Sequence, residues 1–343
     1  MSATPERSES HVEAPASIGV DHVCVCIDGS PVSNRIIPHG LAIARAFGAS
    51  LTVLHVLEPQ RQDGTLTSTN PLEWEMQRTD ARGHLDGISA EYGSPELPVK
   101  TVLLEGRVAE EICGWETSHH VDLTVLCSHG ASGSTDWSLA GTARKLIEGL
   151  SGLTLLVPAC ALEEPLTREV IYERILAPLD ASPRAESALP PAVRLARMHG
   201  SELVLVHAVP VPELTRPAPL DEEELELERR LIDRNTRVGE SYLARVAGRL
   251  IDQGLRVRTV LTADDVRFEL LGCIKEERPN LIVVSGHGQS GRTELPFGSV
   301  VGFLLEHATA PILVIRERAD ERESLMPKRR DSESGRLPPL AST

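Results

Sequence analysis

Short runs of consecutive apolar residues alternate with longer amphipathic stretches along nearly the whole chain. HVCVCI begins at His22, LTVLHV at Leu51, VKTVLL at Val99, VDLTVL at Val121 and LTLLVP at Leu153. A second set follows: RILAPL from Arg174, LVLVHAV from Leu203, VRTVLT from Val257, PNLIVV from Pro279 and APILVI from Ala310. Runs without strict alternation mark strands buried on both faces. Helical patterns between them predict βαβ units and a parallel sheet, with right-handed crossovers placing helices on both faces. The longest predicted helix covers about Leu220 to Gln253. It opens with Asp221-Glu222-Glu223-Glu224, negative charge that suits a helix N-terminus. Its counterpart runs from about Pro71 to Tyr92.

The two sets are copies of one unit. HVCVCIDGSPVSNRIIPHGLAIARAFGASLTVLHVLEP, from His22, matches RILAPLDASPRAESALPPAVRLARMHGSELVLVHAVPVP, from Arg174. In each, a strand ends in Asp-(Gly/Ala)-Ser-Pro and a helix ends at a glycine, Gly48 or Gly200. The second strand ends near His55-Val56 and His207-Ala208. VKTVLLEG aligns with VRTVLTAD, and VDLTVLCSHG with PNLIVVSGHG. The reading is a domain at 18–158, a linker at 159–172 and a second domain at 173–316. Polar, Pro- and Ser-bearing tails at 1–17 and 317–343 are expected to be disordered.

Composition narrows the picture. Aromatics make up 3% of the 343 residues, so the cores must be built from Leu, Val, Ile and Ala. The formal net charge of -15 opposes binding to a phosphate backbone, so no nucleic-acid partner is expected. No run is long and apolar enough to span a membrane, and the first residues lack the apolar core of a secretory signal. The six cysteines form no CxxC pair. Cys24 and Cys26 alternate on one strand and face the same buried side, which reads as reduced thiols in a cytoplasmic protein.

Ligands of open parallel sheets bind at the carboxyl ends of the strands. Two features fall there in each copy. Asp28 and Asp180 tip the first strands; each is either a carboxylate for a base or ribose, or a turn and helix-cap former. The second feature is a Gly-rich loop after the fourth strand. In the second copy it runs from Ser285 through Gly288 to Gly298-Ser299, where a helix begins. In the first it runs from Cys127 through Gly130 to Gly141-Thr142. Glycines let backbone N–H groups approach a phosphate, and a helix N-terminus adds donors and a positive dipole end. His129 and His287 occupy matching loop positions and read as backbone-bonded. His55 and His207 read as strand-end packing. There is no Walker-A motif, HExxH or Gly-x-Ser-x-Gly.

These residues resemble the universal stress protein family, as a tandem two-domain member. Its signature is Gly-x2-Gly-x9-Gly-(Ser/Thr) with an Asp ending the first strand. Gly288 and Gly298-Ser299 match it, with Ser285 at the first glycine position. In the first copy Gly130 and Gly141-Thr142 match with one extra residue between them, and Cys127 stands at the first glycine. The resemblance implies an α/β fold of two tandem Rossmann-like domains, each a five-stranded parallel sheet of order 3-2-1-4-5 between helices. It implies that the fifth strands, around Leu155-Val157 and Ile312-Ile315, meet in an intrachain pseudo-dimer, and it leaves a further homodimer open. It also implies ATP as ligand, with or without Mg²⁺. Asp180, the backbone near Ala208, Ser285, Gly288, Gly298 and Ser299 would form one site. Asp28, the backbone near Val56, Gly130, Gly141 and Thr142 would form the other. The expected role is a cytoplasmic stress-response sensor or regulator with little or no turnover and an unknown protein partner. Its rivals are a slow ATP-cleaving enzyme of the nucleotide α-hydrolase-like fold, a nucleotide-free interaction scaffold and a phospho-acceptor receiver pair. The last needs an acceptor Asp at the third strand and a Lys after the fifth. The third strands end Leu104-Glu105-Gly106 and Thr262-Ala263-Asp264, and Arg316 follows the last strand.

Overall fold

A computed structural model describes residues 19–59, 61–62, 65–66, 70–128, 141–162, 169–209, 222–288 and 296–316. In the first half, β1 (His22–Ile27) leads through α1 (Pro31–Asn34) and α2 (Ile37–Phe47) to β2 (Ser50–Leu57). Two short strands, β3 (Arg61–Gln62) and β4 (Thr65–Leu66), pair with each other. Then come α3 (Pro71–Tyr92), β5 (Val99–Glu105), α4 (Val108–Ser118), β6 (Leu123–Cys127), α5 (Gly141–Gly149) and β7 (Leu153–Val157). The second half repeats the plan with β8 (Arg174–Pro178), α6 (Pro183–Glu186), α7 (Leu189–His199), β9 (Glu202–Val209) and α8 (Glu222–Ile251). It closes with β10 (Arg256–Ala263), α9 (Val266–Glu277), β11 (Leu281–Ser285), α10 (Ser299–His307) and β12 (Ile312–Ile315).

Local chemistry sets the element ends. Ser30 and Ser182 cap the short helices after the first strands, each accepting an N–H at 3.1 Å. Proline follows each cap, at a position where a helix needs no N–H. Gly48 and Gly200 end α2 and α7 in the left-handed region, at φ 70° and 64°, as the pattern predicts.

The strand runs form one ten-stranded sheet of order β10-β9-β8-β11-β12-β7-β6-β1-β2-β5. Each half therefore has the order 3-2-1-4-5, wholly parallel. The halves join through their fifth strands, antiparallel, with Leu313 opposite Leu155 and Ile312 opposite Leu156. Joining them there removes two apolar edges at once, because β7 and β12 would otherwise each leave backbone donors and acceptors unpaired. Helices cover both faces, over two cores that each draw on both halves.

Side chains reinforce the joint. Arg194 of α7 donates to the carbonyls of Ala46 and Phe47 at the end of α2, at 2.7 and 3.1 Å, with its guanidinium over the Phe47 ring. Tyr172, just before β8, is fully buried, and its hydroxyl lies 3.1 Å from His39 Nδ1 on α2. Arg316 donates to the carbonyls of Ile147 and Leu150 at the end of α5. Cys24 and Cys26 lie buried on the same face of the sheet, with sulfurs 3.9 Å apart and no disulfide.

Candidate functional site

The predicted residues of the second half converge on one cavity of about 590 Å³. That size suits a small-molecule ligand. Asp180, Ala208, Ser285, Gly288, Gly298 and Ser299 all line it. It opens at the carboxyl ends of β8 and β11, where the chain leaves the first strand in one direction and the fourth in the other.

Asp180 forms the turn that its sequence context allows, and it also lines the cavity. Its Oδ1 accepts the N–H of Ser182 at 2.9 Å and the Ser182 hydroxyl at 2.6 Å, which fixes the turn into α6. Its Oδ2 points to the Gly-rich loop, where a Cβ built on Gly288 would lie 2.2 Å from it. Glycine at 288 is therefore a steric requirement: backbone and carboxylate pack directly against each other.

The neck of the loop is closed by backbone bonds. Gly286 N donates to Ile315 O and Gly298 N to Gly286 O, both at 2.8 Å. This brings Gly288 and Gly298 to the same side of the cavity, although residues 289–295 between them lie outside the described residues. Gly298 is the N-cap of α10 and Ser299 its first residue. The first helical bond runs from Gly302 N to Gly298 O at 3.0 Å. The N–H groups of Ser299, Val300 and Val301 precede it and have no acceptor within the helix, and all three residues line the cavity. The Ser285 hydroxyl donates to His287 O at 3.0 Å, so its proton is committed to shaping the loop.

In the first half Asp28 repeats the turn. Its Oδ1 accepts the Ser30 N–H at 2.9 Å, and its own N–H is 3.2 Å from the Ser33 hydroxyl. Val56 is buried near the end of β2, and Gly141 and Thr142 open α5, both exposed. Gly130 and His129 lie outside the described residues, so only part of this set is placed.

The paired histidines differ. His207 Nδ1 lies 2.7 Å from the carbonyl of Leu179, and the ring lines the cavity. His55 is buried with no hydrogen-bond partner for Nδ1 among the described residues. Its Cε1 would lie 2.8 Å from a Cβ at Gly29. Burial pushes the His55 pKa down, against the pull of Asp28. His287 also lines the cavity.

One wall is not legible in the sequence. Asn235, Val238, Gly239 and Tyr242 of α8, with Val266 and Leu270 of α9, complete the lining. The one signal for it is Gly239, since a glycine inside a 30-residue helix costs about 1 kcal/mol against alanine and asks for a reason. The reason is close approach: a Cβ there would meet His207 Cδ2 at 2.8 Å.

By architecture this is a tandem, doubly wound α/β protein with a ligand-sized cleft at the strand ends of its second half. The model of the universal stress protein family matches residues 19–158 and again 171–316. The chain belongs to the universal stress protein family. Over 307 residues it is 25% identical to Universal stress protein Rv2005c of Mycobacterium tuberculosis, an alignment covering 86% of this chain and 97% of that one. It is 23% identical over 158 residues to Universal stress protein MJ0577 of Methanocaldococcus jannaschii, covering 43% of this chain and 98% of that one. The crystal structure of a universal stress protein from Archaeoglobus fulgidus DSM 4304 shares the fold, with a TM-score of 0.59 and 15% identity, covering 88% of this chain and 98% of that one. Among the described residues, no helix is long and apolar enough to cross a membrane.

Proposed function

We propose that the second half binds ATP and that the chain acts as a cytoplasmic nucleotide-responsive regulator in a stress response, with little or no turnover. The observation that carries this reading is the single cavity that gathers Asp180, Ala208, Gly288, Gly298, Ser299 and the open N-terminus of α10. The residues fit the group. Gly288 packs its backbone directly against the strand-tip carboxylate of Asp180, and both line the cavity. Gly288, Gly298, the Ser299 hydroxyl and the N–H groups opening α10 would hold the phosphates. Asp180 and the backbone near Ala208 would hold the nucleoside. When bound, the nucleotide would supply a polyanion whose charge the N-terminus of α10 would stabilise, with or without Mg²⁺. Asp28, the backbone near Val56, Gly130, Gly141 and Thr142 would form a second, less favoured site, with Gly130 outside the described residues. Free cysteines at all six positions support the cytoplasmic assignment.

The low-turnover reading is supported by how two lining groups are engaged: Asp180 accepts the Ser182 N–H and hydroxyl in the turn, and His207 Nδ1 lies against a backbone carbonyl.

Titration calorimetry of the full chain with ATP and Mg²⁺ tests the reading. No binding at millimolar nucleotide, together with no adenine nucleotide released from freshly purified protein, would reject it. Turnover approaching about 1 s⁻¹ would reject the regulator role in favour of an enzyme. Gly298→Val is expected to weaken ATP binding at least about tenfold, or 1.4 kcal/mol. A Cβ at 298 meets nothing closer than 3.7 Å in the protein, so the unliganded fold should tolerate the change. Wild-type affinity in that variant would place the phosphates elsewhere.

A further inference from the structure

We propose that Arg316 is a positioning residue for the nucleotide loop of the second half. It holds Phe297, and through it Gly298, against the end of α5 in the first half, so that both halves shape the site. This rests on the nucleotide reading above and names what fixes its loop.

The antiparallel joint sets the geometry. Because β12 and β7 run in opposite directions, the carboxyl end of β12 lies beside the amino end of β7. α5 ends there, just before β7 begins. The last carbonyls of a helix have no donor within it and carry its negative dipole end. Arg316 directly follows β12, and its guanidinium donates to two of them, those of Ile147 and Leu150. A planar fork can hold two carbonyls and a ring face at once, which an ammonium cannot.

The same guanidinium lies over the Phe297 ring, 4.5 Å from its centroid. Phe297 is not part of the cavity lining. It packs against the apolar core that α5 and α10 share. The next residue is Gly298, which caps α10 and lines the cavity. The other end of the loop is tied to the same strand tip. Gly286 N donates to Ile315 O at 2.8 Å, and a Cβ at Gly286 would lie 3.8 Å from Arg316 Cγ. Gly298 N in turn donates to Gly286 O. Displacing Arg316 therefore disturbs both ends of the loop.

The first half has no such residues. The pairing of Cys127 with Val157 matches that of Ser285 with Ile315, so Pro158 stands where Arg316 does. Matching Gly141 to Gly298 puts Ala140 in the place of Phe297. Proline and alanine offer neither a guanidinium nor an aromatic ring. Arg194 supplies an internal control. It too donates to two carbonyls at the end of a helix in the other half, those of Ala46 and Phe47, and lies over a phenylalanine ring. That contact belongs to the other core, and none of its three residues lines the cavity.

Two measurements on the full chain test the proposal, for wild type, Arg316→Met, Arg316→Lys, Phe297→Leu and Arg194→Met. One is amide hydrogen exchange of the segment Phe297–Leu304 without ligand. The other is calorimetry with ATP at a temperature where every variant is folded. Both methionine variants should lower the unliganded stability, because each removes an arginine from the joint. Only the Arg316 and Phe297 variants should speed exchange in the segment. The same variants should bind ATP about five- to tenfold more weakly, the cost of ordering the loop again on binding. Arg316→Met combined with Phe297→Leu should lose little more than either alone, as residues acting through one contact do. The proposal is overturned if Arg316→Met leaves the exchange unchanged or binds ATP like wild type. It is also overturned if Arg194→Met loses the same factor, since binding then follows only the stability of the joint. Wild-type affinity in Arg316→Lys overturns it as well, because charge alone is then the contribution. Absence of ATP binding to the wild type would remove the nucleotide reading itself, while the exchange measurement would still decide whether Arg316 holds the loop.

Discussion

Gly288→Ala is expected to reduce ATP affinity by about 100-fold or more, which is about 2.7 kcal/mol. The added methyl would sit 2.2 Å from Asp180 Oδ2, far inside any allowed contact. The carboxylate is at the end of a side chain, and a free one would swing aside at little cost. Asp180 is not free to do so, because its other oxygen holds the Ser182 N–H and hydroxyl at 2.9 and 2.6 Å. Turning it away breaks both bonds and loosens the turn into α6. Moving the loop instead pulls Gly288 away from Gly298 and the end of α10. Either route takes apart the surface proposed for the nucleotide. A companion variant separates the two effects. Gly288→Ala with Asp180→Ala removes the overlap, so it should recover most of the unliganded thermal stability lost by the single change. It should not recover binding, because the carboxylate is gone. Wild-type calorimetry for Gly288→Ala alone would show that the loop and Asp180 do not form one site.

Much of this architecture is legible in the amino-acid sequence. Continuous apolar runs mark the strands and the repeat marks two equivalent units; that the fifth strands meet, as Leu155 and Leu313 do, is what the family resemblance implies, with the burial of two apolar edges as its physical motive. Those features depend on short-range pattern and on burying a strand edge, both of which leave marks in sequence. Asp180 and the loop from Ser285 through Gly288 to Gly298 and Ser299 are legible because they sit at strand ends and at the helix start that follows, whereas Ala208 comes only from the family resemblance. The α8 wall is not legible. Asn235 and Tyr242 lie in a long, highly charged helix, and their inward direction depends on how α8 lies over β9. Only Gly239 marks that contact. The direction of the Ser285 hydroxyl is equally hidden, since it is decided by the carbonyl of His287 two residues on. Tyr172 shows the same limit: it stands in the segment between the copies, beside charged Glu173 and Arg174, yet is fully buried. Burial there comes from α2 and α7, which sequence distance conceals.

The Tyr172 contact makes the joint between the halves acid-sensitive, and the protein is expected to lose about 3 kcal/mol of stability between pH 6.5 and pH 4 through His39 alone. His39 is 6% exposed, and burial lowers its pKa from 6.5 to about 4. Its Nδ1 lies 3.1 Å from the Tyr172 hydroxyl, which stays protonated because burial also raises the tyrosine pKa. The folded protein therefore holds a neutral imidazole while the unfolded chain takes up a proton below pH 6.5. Stability is constant above that value, falls as pH drops through the interval, and levels off below about 4, where the folded form protonates too. Each pH unit in the interval costs about 1.4 kcal/mol. Urea denaturation at about pH 7.5, 5.5 and 4.5 reads this directly. His39→Leu should be less stable at the highest of these pH values, because Tyr172 loses its partner, but its stability should change much less down to the lowest. His55 and His199, whose pKa values burial also lowers, leave a residual slope in that variant. An unchanged slope in His39→Leu would mean that the imidazole is not the group that acid charges. The expected result makes the contact between α2 and the start of β8 the part of the joint most sensitive to acid, because that is where a proton must enter an apolar core spanning both halves.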